Sequence, residues 1–152
     1  MAMLVSAGDQ RVTMSFGPRA ADEPAAGQTL QGFNDVYKAR IEWRLMSDGR
    51  SRPRPFAAIV LWNTFLLDET EMPGASDTGR PKTINGKVLV VTRLGPRGVC
   101  HVGYVDAQDN RNAGALACEI ADARARSFRC DTDKPVIVGE TGSSGTAERI
   151  ER

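Results

Sequence analysis

The chain has 152 residues, 41% hydrophobic and 26% charged, with a formal net charge of +1. That is the size and composition of one folded domain with a single core. The near-zero charge excludes a global field that would gather nucleic acid or an acidic membrane surface, and no apolar run approaches the roughly 18–20 residues of a spanning helix.

The first residues, M-A-M-L-V-S-A-G, are apolar but short and lack a positive leader, so they are not an intact export signal. Either the protein is cytosolic or a signal has been removed. Arg11 to Phe16 alternates Val12, Met14 and Phe16 with Thr13 and Ser15, which predicts a short strand with one wet side. Gly17 to Gly32 has no period and is rich in glycine and proline, the composition of a long loop. Val36 to Met46 predicts a strand with Tyr37, Ala39, Ile41, Trp43 and Leu45 in the core and Lys38, Arg40, Glu42 and Arg44 in water. Asp48-Gly49 closes it with a turn, and Arg50, Arg52 and Arg54 extend the connection.

Phe56 to Leu67 is apolar on both faces, and its β-branched and aromatic content predicts a central strand. Asp68 to Lys87 is a second long loop, acidic at Asp68, Glu69 and Glu71, basic at Arg80 and Lys82, and ending in the turn pair Asn85-Gly86. Val88–Leu94 and Val99–Asp106 flank G-P-R-G, which predicts a hairpin with Thr92 opposite His101 and Arg93 opposite Cys100. Strict alternation would put Val88, Val90, Leu94, Val99 and Val105 on one face, and Leu89, Val91, Val102 and Tyr104 on the other. Asn110 to Phe128 is the one good helix, capped by Asp109 or Asn110. Its apolar stripe is Ala113, Leu116, Ala117, Ile120 and Ala123, and Arg124, Arg126 and Arg129 crowd its C-terminal end. Pro135 to Gly139 is a last short strand, and residues 140–152 have the composition of a disordered tail.

The expected fold is α+β: one domain over residues 1–139, with a mainly antiparallel, curved sheet of five to six strands and one C-terminal helix on one face. The strands from Phe56 to Asp106 are apolar on both sides, so the second face needs a cover, from the long loops or from another subunit.

Cys100 and His101 invite a nucleophile–base pair, but adjacent side chains on a strand point apart. A thiolate at Cys100 would need a cation, and Arg93 across the hairpin is the available one. A helix running back along the sheet brings Cys130 toward Cys100, which favours a bridge closing a loop of about 30 residues, worth about 3–4 kcal/mol in the chain-entropy model. Cys118 then remains a free thiol, lying well off the apolar stripe; in a reducing compartment all three cysteines would be free. His101, Thr92, Trp62 and Tyr104 are the candidate pocket residues, and Arg50, Arg52 and Arg54 the candidate anion site. No metal spacing and no cofactor motif is present. G-E-T-G-S-S-G-T from Gly139 lacks the lysine and the spacing of a phosphate loop, and no G-x-S-x-G elbow occurs.

L-V-V-T-R-L-G, G-V-C-H-V-G-Y-V-D-A, A-L-A-C-E-I-A-D-A-R-A-R-S-F-R-C and P-V-I-V, spanning Val88 to Val138, resemble a pattern of small uncharacterised exported bacterial proteins. The resemblance implies a periplasmic or secreted setting, with Cys100 and Cys130 at paired positions, and no catalytic residues. Cys118 departs from it, standing where the pattern has a charged residue. The expectation is a non-enzymatic exported binding domain with a protein partner or a second copy of itself. A thiol- or histidine-dependent enzyme using Cys100 or His101 is the second reading, and an anion or nucleic-acid binder through the three arginines is the third.

Overall fold

In the computed structural model, which describes residues 1–67 and 83–141, the chain opens on a hairpin. Strands β1 (Met3–Gly8) and β2 (Arg11–Phe16) pair antiparallel, with Gly8 opposite Arg11. Asp9 and Gln10 form the turn with φ of 51° and 59°, the left-handed pair that suits the twist of a two-residue hairpin loop. Val12, Met14 and Phe16 are buried as the alternation predicts. Strand β1 has no counterpart in the sequence reading, because every one of its residues is exposed and no alternation marks it. The stretch that follows, expected as a loop, makes two 3-10 turns at Ala20–Asp22 and Pro24–Gly27. It is tied down where the Ala25 N–H donates to the Val99 carbonyl at 2.9 Å.

The single strand expected over Val36 to Met46 is two strands, β3 (Phe33–Asp35) and β4 (Ile41–Met46). Both pair antiparallel with the same edge of β5 (Arg54–Leu67), β3 ending at Asp35 opposite Asn63 and β4 beginning at Ile41 opposite Val60. The residues between leave the ladder: Asp35 Oδ1 accepts the Tyr37 N–H at 3.0 Å, and Lys38 has φ 56°. The expected core face is corrected accordingly. Tyr37 is 73% and Leu45 57% exposed, while Ala39 and Ile41 pack on the core and Trp43 stands edge-on to Phe16.

Strand β6 (Thr83–Arg93) pairs with β5 along its whole length. Asn85-Gly86 is therefore not a turn but part of the strand, opposite Phe65 and Thr64. The charges named at Asp68, Glu69, Glu71, Arg80 and Lys82 lie outside the described residues, as does the tail from residue 142. Strand β7 (Cys100–Asp106) pairs with β6 in the expected register at Thr92–His101 and Arg93–Cys100. The register then slips, with Val91 opposite Gly103, so Val102 is the extra residue of a β-bulge. The bulge inverts the alternation beyond it. Tyr104 joins the face of Val88, Val90 and Val99, and Val105 joins that of Val91 and Val102, the reverse of the simple expectation.

The helix is shorter than expected. α1 spans Ala113–Ile120 and runs directly into a π-helical turn, Ala121–Ala125. A π turn takes more residues per revolution than an α turn, so the buried stripe moves from the expected Ala123 to Ala121, Ala125 and Phe128. Asn110 is no cap; its side chain clasps the backbone of Glu140, accepting its N–H at 2.9 Å and donating to its carbonyl at 2.8 Å. The crossover through α1 delivers β8 (Val136–Val138) parallel to β7, so the sheet is mixed. Its described order is β3-β5-β6-β7-β8, with β4 on β5.

Both sheet faces are covered within the chain. The β1–β2 hairpin and the segment from Ala25 to Leu30 close a cluster holding Phe16, Leu30, Val60, Trp62, Val90 and Tyr104. The helix closes the other, holding Ile59, Val91, Cys100, Val102, Ala117, Ile120 and Phe128. No helix among the described residues is long and apolar enough to cross a membrane.

Candidate functional site

The cysteine–histidine dipeptide divides between the two cores. Cys100 points to the helix side and is joined to Cys130, Cα–Cα 5.8 Å. His101 points to the hairpin side. There its ring meets Trp62 and Tyr104 edge-on, centroids 5.7 and 5.6 Å apart, and its Nδ1 lies 3.0 Å from the Tyr104 hydroxyl. That contact exists because the bulge puts Tyr104 on the histidine's face. The structure thus brings His101, Thr92, Trp62 and Tyr104 together, none more than 7% exposed, as a packed cluster inside the core. Burial alone drives the His101 pKa down to about 4 and that of Tyr104 up to about 12. The imidazole is therefore neutral at physiological pH, and Cys100 and His101 form no nucleophile–base pair.

Cys118 is free and half-buried. Its thiol donates to Glu42 at 3.1 Å, and burial followed by Glu42 raises its pKa, the opposite of activation. Arg44 of the same strand makes a forked pair with Asp122, at 3.1 and 2.6 Å. Arg50 and Arg52 are exposed on the β4–β5 connection, and Arg54 is exposed as the first residue of β5, opposite Met46. Asp48 organises that turn, accepting the N–H groups of Arg50 and Ser51, which holds its carboxyl at about 2.

A different arginine set converges. Arg93 comes from the end of β6, Arg97 from the β6–β7 turn, and Arg129 from the segment after the helix; they line one cleft of about 600 Å³ with Pro24, Gly98, Phe128, Cys130 and Asp131. Arg93 is only 3% exposed. One of its N–H groups, on Nη1, donates to the Phe128 carbonyl, while its buried Nε has no partner. No carboxylate pairs with it among the described residues. Desolvation and then the neighbouring Arg97 lower its pKa, against an opposing pull from Glu23. Glu23 itself is occupied, accepting the Val99 N–H at 2.9 Å. Arg97 and Arg129 are exposed at the rim, where Asp131 lies 3.9 Å from Arg129 Nε. Positive charge is in excess in this cleft, and its most buried member forms no ion pair among the described residues.

The sequence reading named Arg93 and Arg129 without joining them. Two signals link them: Arg93 is a charge inside a run apolar on both faces, and it stands opposite Cys100, whose partner Cys130 adjoins Arg129.

No family model matches this chain, and no curated protein or solved structure matches it.

Proposed function

We propose that this protein is a non-enzymatic binding domain of an oxidising, extracytoplasmic compartment, and that its ligand is a small organic anion held by Arg93, with Arg97 and Arg129 at the rim. The observation that carries this is the buried guanidinium of Arg93, which forms no ion pair among the described residues, lining a cleft. An uncompensated buried charge is costly, and a guanidinium fork matches carboxylate and phosphate oxygens. The volume, about 600 Å³, is that of a small-molecule site. Pro24 and Phe128 in its wall favour a ligand with carbon as well as charge. The cystine supports the compartment, since such bonds persist where thiols are not kept reduced.

The test is calorimetric titration of the oxidised protein with inorganic phosphate and with citrate. Saturable binding to one site is expected, weakened at least tenfold in the Arg97→Ser/Arg129→Ser double variant, whose exposed side chains leave the core intact. The same affinity in that variant, or no saturable binding of either probe, would overturn the proposal.

Self-association is a second reading, favoured by the exposed Met3, Val5, Trp43, Leu45 and Met46 on β1 and β4. Sedimentation over a range of concentrations tests it: a concentration-dependent dimer supports it, and a monomer throughout excludes it.

A further inference from the structure

Apart from Pro24, the walls of the arginine cleft come from two parts of the chain. One wall is the end of β6 and the turn after it, with Arg93, Arg97 and Gly98; the other is the segment after the helix, with Phe128, Arg129, Cys130 and Asp131. Two links are specific: the Cys100–Cys130 bond and the hydrogen bond from Arg93 to the Phe128 carbonyl. The remaining backbone bonds of the second wall are local. Phe128 N–H donates to Arg124, Thr132 and Asp133 N–H groups donate to Arg129, and Asp133 accepts the Arg129 N–H at 2.8 Å. The walls fit closely where the cystine lies: a Cβ on Gly98, which has φ +106°, would stand 3.1 Å from Cys130 Sγ. Of the two cysteines, Cys100 is sealed in the core at 1% exposure, while Cys130 is half-buried and lines the cleft.

We propose that the Cys100–Cys130 bond sets the affinity of the arginine cleft, so that its reduction releases the anion. The inference rests on the anion-binding reading above. A dithiol supplies two electrons and two protons. The Sγ–Sγ bond breaks, both cysteines become thiols, and the dithiol closes to its own disulfide. Without the bond, the segment from Phe128 to Asp131 is held by its local turn, the burial of Phe128 and the one hydrogen bond from Arg93. The spacing of Arg93 and Arg129 is then less tightly held, and part of the preorganisation that makes one anion fit all three arginines is lost. Linkage makes the effect reciprocal: a bound anion protects the bond from reduction by the factor that reduction weakens the anion.

The experiment uses the full chain carrying Cys118→Ser, so that no third thiol exchanges. Citrate and inorganic phosphate affinities are measured for the oxidised protein and after reduction by excess dithiol, with circular dichroism and methyl NMR dispersion recorded on the same samples. A loss of tenfold or more with the fold retained is expected. A second measurement, the reduction midpoint of the oxidised protein with and without saturating citrate, is expected to move by about 30 mV for a tenfold coupling. Equal affinity in both forms with an unmoved midpoint overturns this inference and leaves the binding site standing. A loss that appears only with global unfolding overturns it too. Failure of the oxidised protein to bind either probe overturns the site and the inference together.

Discussion

Lowering the pH should destabilise this protein through one residue. His101 is the chain's only histidine, it is 1% exposed, and its Nε2 has no partner in the core. Burial holds its folded-state pKa at about 4, against 6.5 in the unfolded chain. Between those values the unfolded state binds the proton and the folded state does not, so stability rises with pH across the window and falls as acid is added. At about 1.4 kcal/mol per pH unit, the full effect is about 3 kcal/mol, of which about 2 kcal/mol is lost by about pH 5. The exposed Asp48, with its carboxyl held at about 2, responds below this window. Urea unfolding between about pH 7 and about pH 4.5 measures the slope directly. His101→Phe fills the same aromatic niche and should flatten it, whatever it does to the absolute stability. A wild-type profile flat over this range, or a slope unchanged in His101→Phe, would refute the placement of the imidazole in the core.

Four further outcomes are expected. Removing the cystine in Cys100→Ala/Cys130→Ala, a separation of 30 residues, should cost about 3.6 kcal/mol in denaturant unfolding; a cost below about 1 kcal/mol would contradict it. Gly103→Ala should cost about 1–3 kcal/mol in thermal unfolding, because the added Cβ would stand 2.8 Å from Ile120 Cγ2 and 3.0 Å from the Val136 carbonyl. Asn34→Ala should cost about 3 kcal/mol in the same assay, since it strips a buried acceptor from the Val12 N–H and a donor from the Leu30 carbonyl, each at 2.9 Å. Thiol titration of the denatured, unreduced protein should find one reactive group, Cys118; three would place the cysteines in their reduced form.

The parts of the fold that follow from strict periodicity were legible, and the parts that break period were not. The hairpin register at Thr92–His101 and Arg93–Cys100 follows from the length of the G-P-R-G turn, and β2 follows from its alternating Val12, Met14 and Phe16. Cys100 and Cys130 follow from the way a helix must return along the sheet it covers. Interruptions of period defeat such reasoning. The bulge at Val102 exchanges the faces of Tyr104 and Val105; its one trace in the sequence is Gly103, a glycine inside a strand pattern. The π turn moves the stripe from Ala123 to Ala125, and the excursion at Lys38 splits one strand into two. Alternation also reports polarity and not cover: Tyr37 and Leu45 have a core residue's pattern, yet both are exposed. The arginine cleft is hidden in the sequence because its members are contributed by a strand end, a turn and a post-helix segment, which the cystine and the Arg93–Phe128 hydrogen bond draw together.

In the proposed site, a ligand supplies the counter-ion of buried Arg93. The most direct measurement follows the arginine Nε–H resonances of nitrogen-15-labelled, oxidised protein during titration with citrate. A saturable shift of Arg93, with Arg50 and Arg52 unmoved, is the predicted result. An Arg93 resonance that stays fixed while citrate is raised would contradict it.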